Sequence, residues 1–201
     1  MFLLLIDKVR DRNSQDIKGR TPLHYAVIMG QLKICKTILD KITDKNPKDK
    51  NNYTPLHMAA MEGHAEVFNL IINEVTDKNP EDIDGKTPLH LAAESGHLDI
   101  CKRIIDKITD KNPKDKYGTT PLHLSAERGH FEICKLLIPH TDVESIRNNE
   151  GMTPLELAHF GGHDNICNLI KKDAKERNKR NKNHTDSKQN KFSKRKKDSK
   201  Q

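Results

Sequence analysis

One tetrapeptide recurs at a fixed interval along this chain. Thr-Pro-Leu-His begins at Thr21, Thr54, Thr87 and Thr120, and a variant, Thr-Pro-Leu-Glu, begins at Thr153. Each of these threonines follows the previous one by 33 residues. A constant period of this length is typical of a stacked repeat array, in which each unit packs only on its neighbours.

The most regular copy shows how one unit is expected to fold. Thr87 is a good helix N-cap and Pro88 suits the first helical position. The stripe of Leu89, Ala92 and Ala93 then forms one apolar face of a short helix, which Gly96 ends. A second apolar helix follows, and the dipeptide Asp84-Gly85 before the unit predicts a tight turn. The unit is therefore helix, loop, helix and a hairpin-like turn.

With its Ala-Ala and Gly-His pairs, the 33-residue motif closely resembles the ankyrin repeat. The resemblance implies an all-α solenoid of stacked helix-turn-helix units with projecting β-turn fingertips, and a function in binding other proteins. One segment departs from the family pattern. Where a Gly-Ala-Asp-Val-Asn-like stretch is usual, this chain has Ile-Thr-Asp-Lys-Asn-Pro at residues 42–47, which suggests a longer second helix.

Five units are expected between residues 19 and 172, with a different segment at each end. The units span 19–51, 52–84, 85–117, 118–150 and 151–172. Residues 1–18 are interpreted either as the second helix of a partial repeat or as an N-terminal cap. Residues 173–201 are expected to be a disordered basic tail, because Lys, Arg, Asn, Ser and Gln cannot bury enough apolar surface to fold.

Charge is distributed unevenly between the array and the tail. The chain carries a formal net charge of +7, whereas residues 171–201 alone contain 14 Lys and Arg against 4 Asp and Glu. The array is therefore mildly acidic. Lys194, Arg195, Lys196 and Lys197 form a possible nuclear-import signal. Nonspecific contact with nucleic acid or an anionic membrane, and a merely solubilising role, are the alternatives.

Cysteine and histidine positions follow the repeat. Cys35, Cys101, Cys134 and Cys167 occupy one equivalent position on the second helix. Neighbouring helices lie about 8–10 Å apart, too far for a disulfide. We therefore expect buried thiols and a reducing compartment, the cytoplasm or the nucleus. The repeated histidines are interpreted as hydrogen-bonding ties between units. No metal, no cofactor and no catalytic residue is predicted, and we do not expect an enzyme.

The side chains that differ between units are the candidates for partner binding. They lie in the fingertips and first helices, which line one concave strip in a solenoid of this kind. Tyr and Arg are favoured anchors at interfaces. The predicted partner-binding residues are Arg20, Met29, Tyr53, Met61, Glu62, Lys86, Glu94, Tyr117, Thr119, Glu127 and Arg128.

The sequence therefore predicts a non-catalytic scaffold that binds a protein partner through this strip. Two alternatives remain open at this point. One is a nuclear or nucleic-acid-associated regulator that the basic tail localises. The other is the array portion of a larger multidomain protein, suggested by the half unit at the start of the chain.

Overall fold

A computed structural model describes residues 13–180 as a stack of helix pairs. No β-strand occurs within these residues. The helices are α1 (Pro22–Ile28), α2 (Leu32–Leu39), α3 (Pro55–Glu62), α4 (Ala65–Glu74), α5 (Pro88–Ser95), α6 (Leu98–Ile105), α7 (Pro121–Glu127), α8 (Phe131–Leu137), a 3₁₀ turn (Ile138–His140), α9 (Pro154–Phe160) and α10 (164–180). First helices pack on first helices of adjacent units, and second helices on second helices. The predicted all-α repeat solenoid is confirmed.

The repeated tetrapeptide starts every first helix in the same way. Thr54 is the N-cap of α3, Pro55 stands at the first helical position, and Thr54 Oγ1 accepts a hydrogen bond from the backbone N–H of His57 at 3.4 Å. The His57 ring in turn accepts a bond from the Thr54 backbone N–H. This reciprocal capping box satisfies two amides that a helix start otherwise leaves unpaired.

The expected lengthening of the second helix is absent from α2 and α6 but occurs in α4, which runs to Glu74 where the equivalent end would be residue 72. Helix α2 ends at Leu39 and α6 at Ile105. Lys45 folds back so that its Nζ donates to the carbonyl of Leu39, and Lys78 does the same to Ile72 and Val75 at 2.6 and 2.7 Å. In these two units a lysine of the Asp-Lys-Asn-Pro loop therefore caps the end of the second helix with its positive charge.

The core runs continuously through the stack. The leucine of every complete Thr-Pro-Leu-His motif is fully buried. Cys35, Cys101, Cys134 and Cys167 are buried and free, as expected, and Phe68 fills the equivalent place in the second unit. Burial raises the pKa of the Cys101 thiol to about 12. These thiols therefore act as small apolar side chains.

A carboxylate or amide closes each fingertip turn. In the fingertip that precedes α5, Asp82 Oδ1 accepts from the backbone N–H groups of Asp84 and Lys86, both at 2.8 Å. Asp16, Asp49, Asp115 and Asn148 make the equivalent pair of bonds. The residue three positions later has a positive φ and is glycine in every fingertip except one, where Asn52 adopts a φ of 59°.

The last helix extends further than predicted, so the proposed tail starts later in the chain than expected. Residues 173–180 were assigned to a disordered segment, but they continue α10. Arg177 holds this part of α10 in place, because its NH2 donates to the carbonyl of Ile138 at 2.6 Å and its Nε pairs with Asp173. Residues 1–12 and 181–201, with the possible import signal, lie outside the described residues. Among the described helices, none is both long and apolar enough to cross a membrane.

Candidate binding surface

A first set of histidines joins each unit to the next one. The Nδ1 atom of His57 accepts from the backbone N–H of Thr54, so the ring proton lies on Nε2 and donates to the carbonyl of Lys86 at 3.1 Å. His24, His90 and His123 make the same bond to Tyr53, Thr119 and Met152. Each acceptor is the last residue of the next fingertip, so these imidazoles fix fingertip positions from inside the stack.

A second set of histidines joins each unit to the preceding one. The Nε2 atoms of His64, His97, His130 and His163 lie 3.0 Å from first-helix carbonyls of the unit before. The His97 ring packs over Gly63, where an added Cβ would come within 2.4 Å of it. Gly63 also has a φ of +79°, which a larger side chain rarely adopts. The prediction that both histidine sets tie units together is confirmed.

The first histidine set is held neutral. Burial lowers the pKa of His57 to about 4, although the bond to the Lys86 carbonyl and the charge of Asp82 act in the opposite direction. Burial likewise lowers the pKa of His123 to about 4 and lowers the pKa values of His24 and His90. A neutral ring is required at Nδ1, because a protonated one has no lone pair for the threonine amide.

The fifth unit replaces this histidine with Glu156. Its carboxylate accepts from the backbone N–H and the hydroxyl of Thr153, at 2.7 and 2.8 Å, which preserves the capping box. An ionised carboxylate has no proton, so Glu156 cannot donate a hydrogen bond to a fingertip carbonyl as the histidines do. Instead, Glu156 lies 3.5 Å from the guanidinium of Arg147.

The histidine hydrogen bonds between units are called joints. The recognition strip is the set of fingertip and first-helix side chains that take no part in these joints. Of the predicted partner-binding residues, Met29, Glu62, Tyr117, Glu127 and Arg128 are exposed there. Arg20, Lys86, Glu94 and Thr119 are half-buried. Tyr53 and Met61 are also half-buried and pack against the core.

A three-residue ionic cluster occupies the middle of the recognition strip. Lys86 Nζ lies 2.9 Å from one oxygen of Glu94, and Arg128 NH2 lies 3.3 Å from the other. Burial tends to raise the pKa of Glu94, but the hydrogen bonds and charges of Lys86 and Arg128 outweigh it and lower the pKa. The fingertip of the third unit and the first helix of the fourth are thereby held together, with one positive charge in excess.

Tyr53 is more enclosed than an exposed anchor would be. Its ring centroid lies 5.5 Å from that of His57, and burial together with nearby Asp82 raises its pKa to about 12. Arg20 is similarly engaged, since its Nε lies 3.5 Å from Asp49. These two side chains support the joints as well as the surface.

Each end of the strip carries a strongly exposed apolar side chain, and Ile83 is 45% exposed in a fingertip between them. Met29 is 68% exposed near one end and Phe160 is 76% exposed near the other. Sequence reasoning did not select Tyr25, which is 42% exposed and donates its hydroxyl proton to Asp16 at 2.6 Å. The sequence feature that could have identified Tyr25 is its polar phenol group. The other units carry buried apolar side chains at the equivalent position, namely Met58, Leu91, Leu124 and Leu157.

Helix pairs, histidine joints and turned fingertips together define a helical repeat protein of the solenoid class. A family model described as ankyrin repeats matches the chain in three copies, at residues 1–49, 42–115 and 103–183. The chain belongs to the ankyrin-repeat family. Such repeats are generally protein–protein interaction modules and are typically non-catalytic. A search of curated proteins found no match.

Proposed function

We propose that this protein is a non-catalytic adaptor that binds a partner protein through the recognition strip. The observation that supports this most is the separation of constant from variable side chains. The joint residues repeat from unit to unit and are buried or half-buried, whereas the strip presents different side chains at most equivalent positions. A surface that varies on a constant frame is suited to recognising one particular shape.

The strip offers the kinds of side chain that dominate interface energies. Tyr117 is 57% exposed, and Arg128 is exposed while its guanidinium is held by Glu94. Aromatic and arginine anchors commonly cost about 2 kcal/mol or more of binding energy when truncated to alanine. Because Arg128 is already positioned in the free protein, less side-chain entropy is lost when a partner binds.

Matched substitutions test this proposal. Met29→Ala and Arg128→Ala alter the strip, whereas Leu32→Ala and Arg103→Ala remove similar side chains from the exposed faces of second helices α2 and α6. Proteins captured from a cell lysate by the full-length chain are quantified by mass spectrometry. We expect a specific partner to be lost, by about tenfold or more, with the strip variants only.

The control variants make the opposite result informative. Circular dichroism first establishes that all four variants are folded. A partner that is retained by both strip variants but lost with Leu32→Ala or Arg103→Ala would place binding on the second helices. That result would contradict the proposal.

A further inference from the structure

The outer face of α10 carries a row of lysines. Lys171, Lys175 and Lys179 are four residues apart, so they lie along one line of the helix, and Lys172 lies beside them. All four side chains are exposed. The opposite face, with Ile166 and Ile170, is buried against the array. We call these four residues the lysine face.

Two carboxylates of α10 are paired with arginines and not with these lysines. Asp173 binds Arg177, and Glu176 lies 3.7 Å from Arg180. Within residues 13–180, no carboxylate lies within ion-pair distance of the four lysines. The four lysines therefore make no ion pair within these residues, and the one carboxylate that lines the same groove, Glu176, leaves a net positive charge there.

Helices α4, α6 and α8 are built differently. Lys102 of α6 lies 3.9 Å from Asp99, and Lys135 of α8 lies 3.9 Å from Glu132. Helix α4 carries acidic side chains on its outer face and no lysine. Helix α2 has two exposed lysines without an ion pair, Lys33 and Lys36, whereas α10 has four, three of them at successive four-residue steps. Among the described helices, α10 therefore carries the longest row of unpaired lysines.

We propose that the lysine face binds the phosphate backbone of double-stranded nucleic acid without sequence preference. Lysines four residues apart are separated by about 6 Å along the helix, a spacing that allows several to contact successive phosphates of one strand. Charged side chains that neutralise phosphates release condensed counterions, and this supplies most of nonspecific affinity. The face contains no aromatic side chain for stacking on unpaired bases, so a duplex fits better than a single strand.

The burial of the apolar residues of α10 argues against a membrane partner. Helices that lie on membranes insert an apolar face between the lipids. Here Ile166 and Ile170 are 0% and 2% exposed because they pack on the array. Attraction to lipid headgroups would therefore rest on charge alone.

Salt dependence measures the contribution of the lysine face directly. The full-length chain is titrated onto a fluorescent 20-base-pair DNA duplex at several sodium chloride concentrations, with anisotropy as the signal. Lys171→Gln, Lys175→Gln and Lys179→Gln are combined in one variant. If each lysine neutralises one phosphate, the slope of log K against log salt falls in magnitude by about 2.7.

A control removes the same charge elsewhere. Lys33→Gln, Lys36→Gln and Lys107→Gln change exposed lysines outside α10. Residues 181–201 hold 8 Lys and Arg and are unchanged in both variants, so any contribution they make is common to both. We expect the control slope to stay close to that of the unmodified chain, and both variants to keep its melting temperature because the altered side chains are exposed.

Two results would overturn the proposal. One is a salt slope that falls equally in the two variants, or in neither. The other is loss of binding to phosphatidylserine-containing vesicles in the α10 variant while its DNA slope is unchanged, which would assign the lysine face to a membrane. The capture experiment on the recognition strip is independent, because its variants lie on other helices.

Discussion

Acid should weaken this array well above the pH at which its carboxylates titrate. The first histidine set is buried and neutral, with pKa values near 4 for His57 and His123 against an ordinary 6.5. In the unfolded chain these rings take up protons at about pH 6.5, whereas in the folded chain they do not. Their stabilising contribution is therefore complete above pH 6.5 and is lost progressively as the pH falls towards 4.

The size of the loss follows from the two pKa values. Between pH 7 and pH 5, a pKa lowered from 6.5 to about 4 reduces the free energy of unfolding by about 2 kcal/mol for each ring. His57 and His123 together account for about 4 kcal/mol, and His24 and His90 add to it in the same direction. This is a large share of the stability of an ordinary domain, which is about 5–15 kcal/mol.

Urea unfolding at pH 7, 6 and 5, followed by circular dichroism, measures this dependence. His123→Gln should be less stable at pH 7, yet its loss between pH 7 and 5 should be smaller by about 2 kcal/mol because one titrating ring is gone. His159→Gln, which alters an exposed ring on α9, should retain the full loss. A free energy of unfolding that stays constant from pH 7 to 5, or a loss unchanged by His123→Gln, would refute the reasoning.

Three further predictions concern single positions. Asn52→Gly should stabilise the protein by about 0.5–1 kcal/mol, read as a higher melting temperature, because the left-handed backbone at this fingertip strains a side chain; an unchanged or lower melting temperature would argue against it. The four buried thiols should react slowly with a thiol reagent at pH 8 in the native state and all together on unfolding; one rapidly reacting thiol would contradict this. Arg177→Ala should raise amide exchange in α10 while α1 to α4 remain protected, because Arg177 joins α10 to the Ile138 carbonyl; unchanged exchange in α10 would show that this contact is dispensable.

The repeat itself was predictable because the residues that start and end its helices act locally and recur in five units. The threonine cap, the proline at the first helical position and the glycine after the helix each act within a few residues. The period then indicates which residues face each other in adjacent units, as with Glu94 and Arg128, which are 34 residues apart. One-dimensional stacking makes such long-range contacts readable from the sequence.

Other features depend on contacts that no local pattern records. The burial of Tyr53 depends on its packing against His57 and on Asp82, so its side chain was expected to be more available than it is. Lys45 folds back onto the carbonyl of Leu39, the last residue of α2, and no local pattern indicates this bond. Residues 173–180 are helical, and Arg177 among them donates to a carbonyl 39 residues earlier. The polar composition of this segment predicted disorder, because composition gives no information about this hydrogen bond.

The joints also bear on how the gene for such a protein can change. Each joint uses the same imidazole bonds and the same fit of a ring over a glycine, so a crossover between misaligned units that gains or loses 33 codons leaves every remaining joint chemically intact. Residues 34–50 and 100–116 differ at two aligned positions, where Thr37 corresponds to Arg103 and Leu39 to Ile105. Such near identity is expected if one segment was copied recently from the other. Array length can therefore vary by recombination while point mutation diversifies the exposed positions, and the two kinds of change need not interfere.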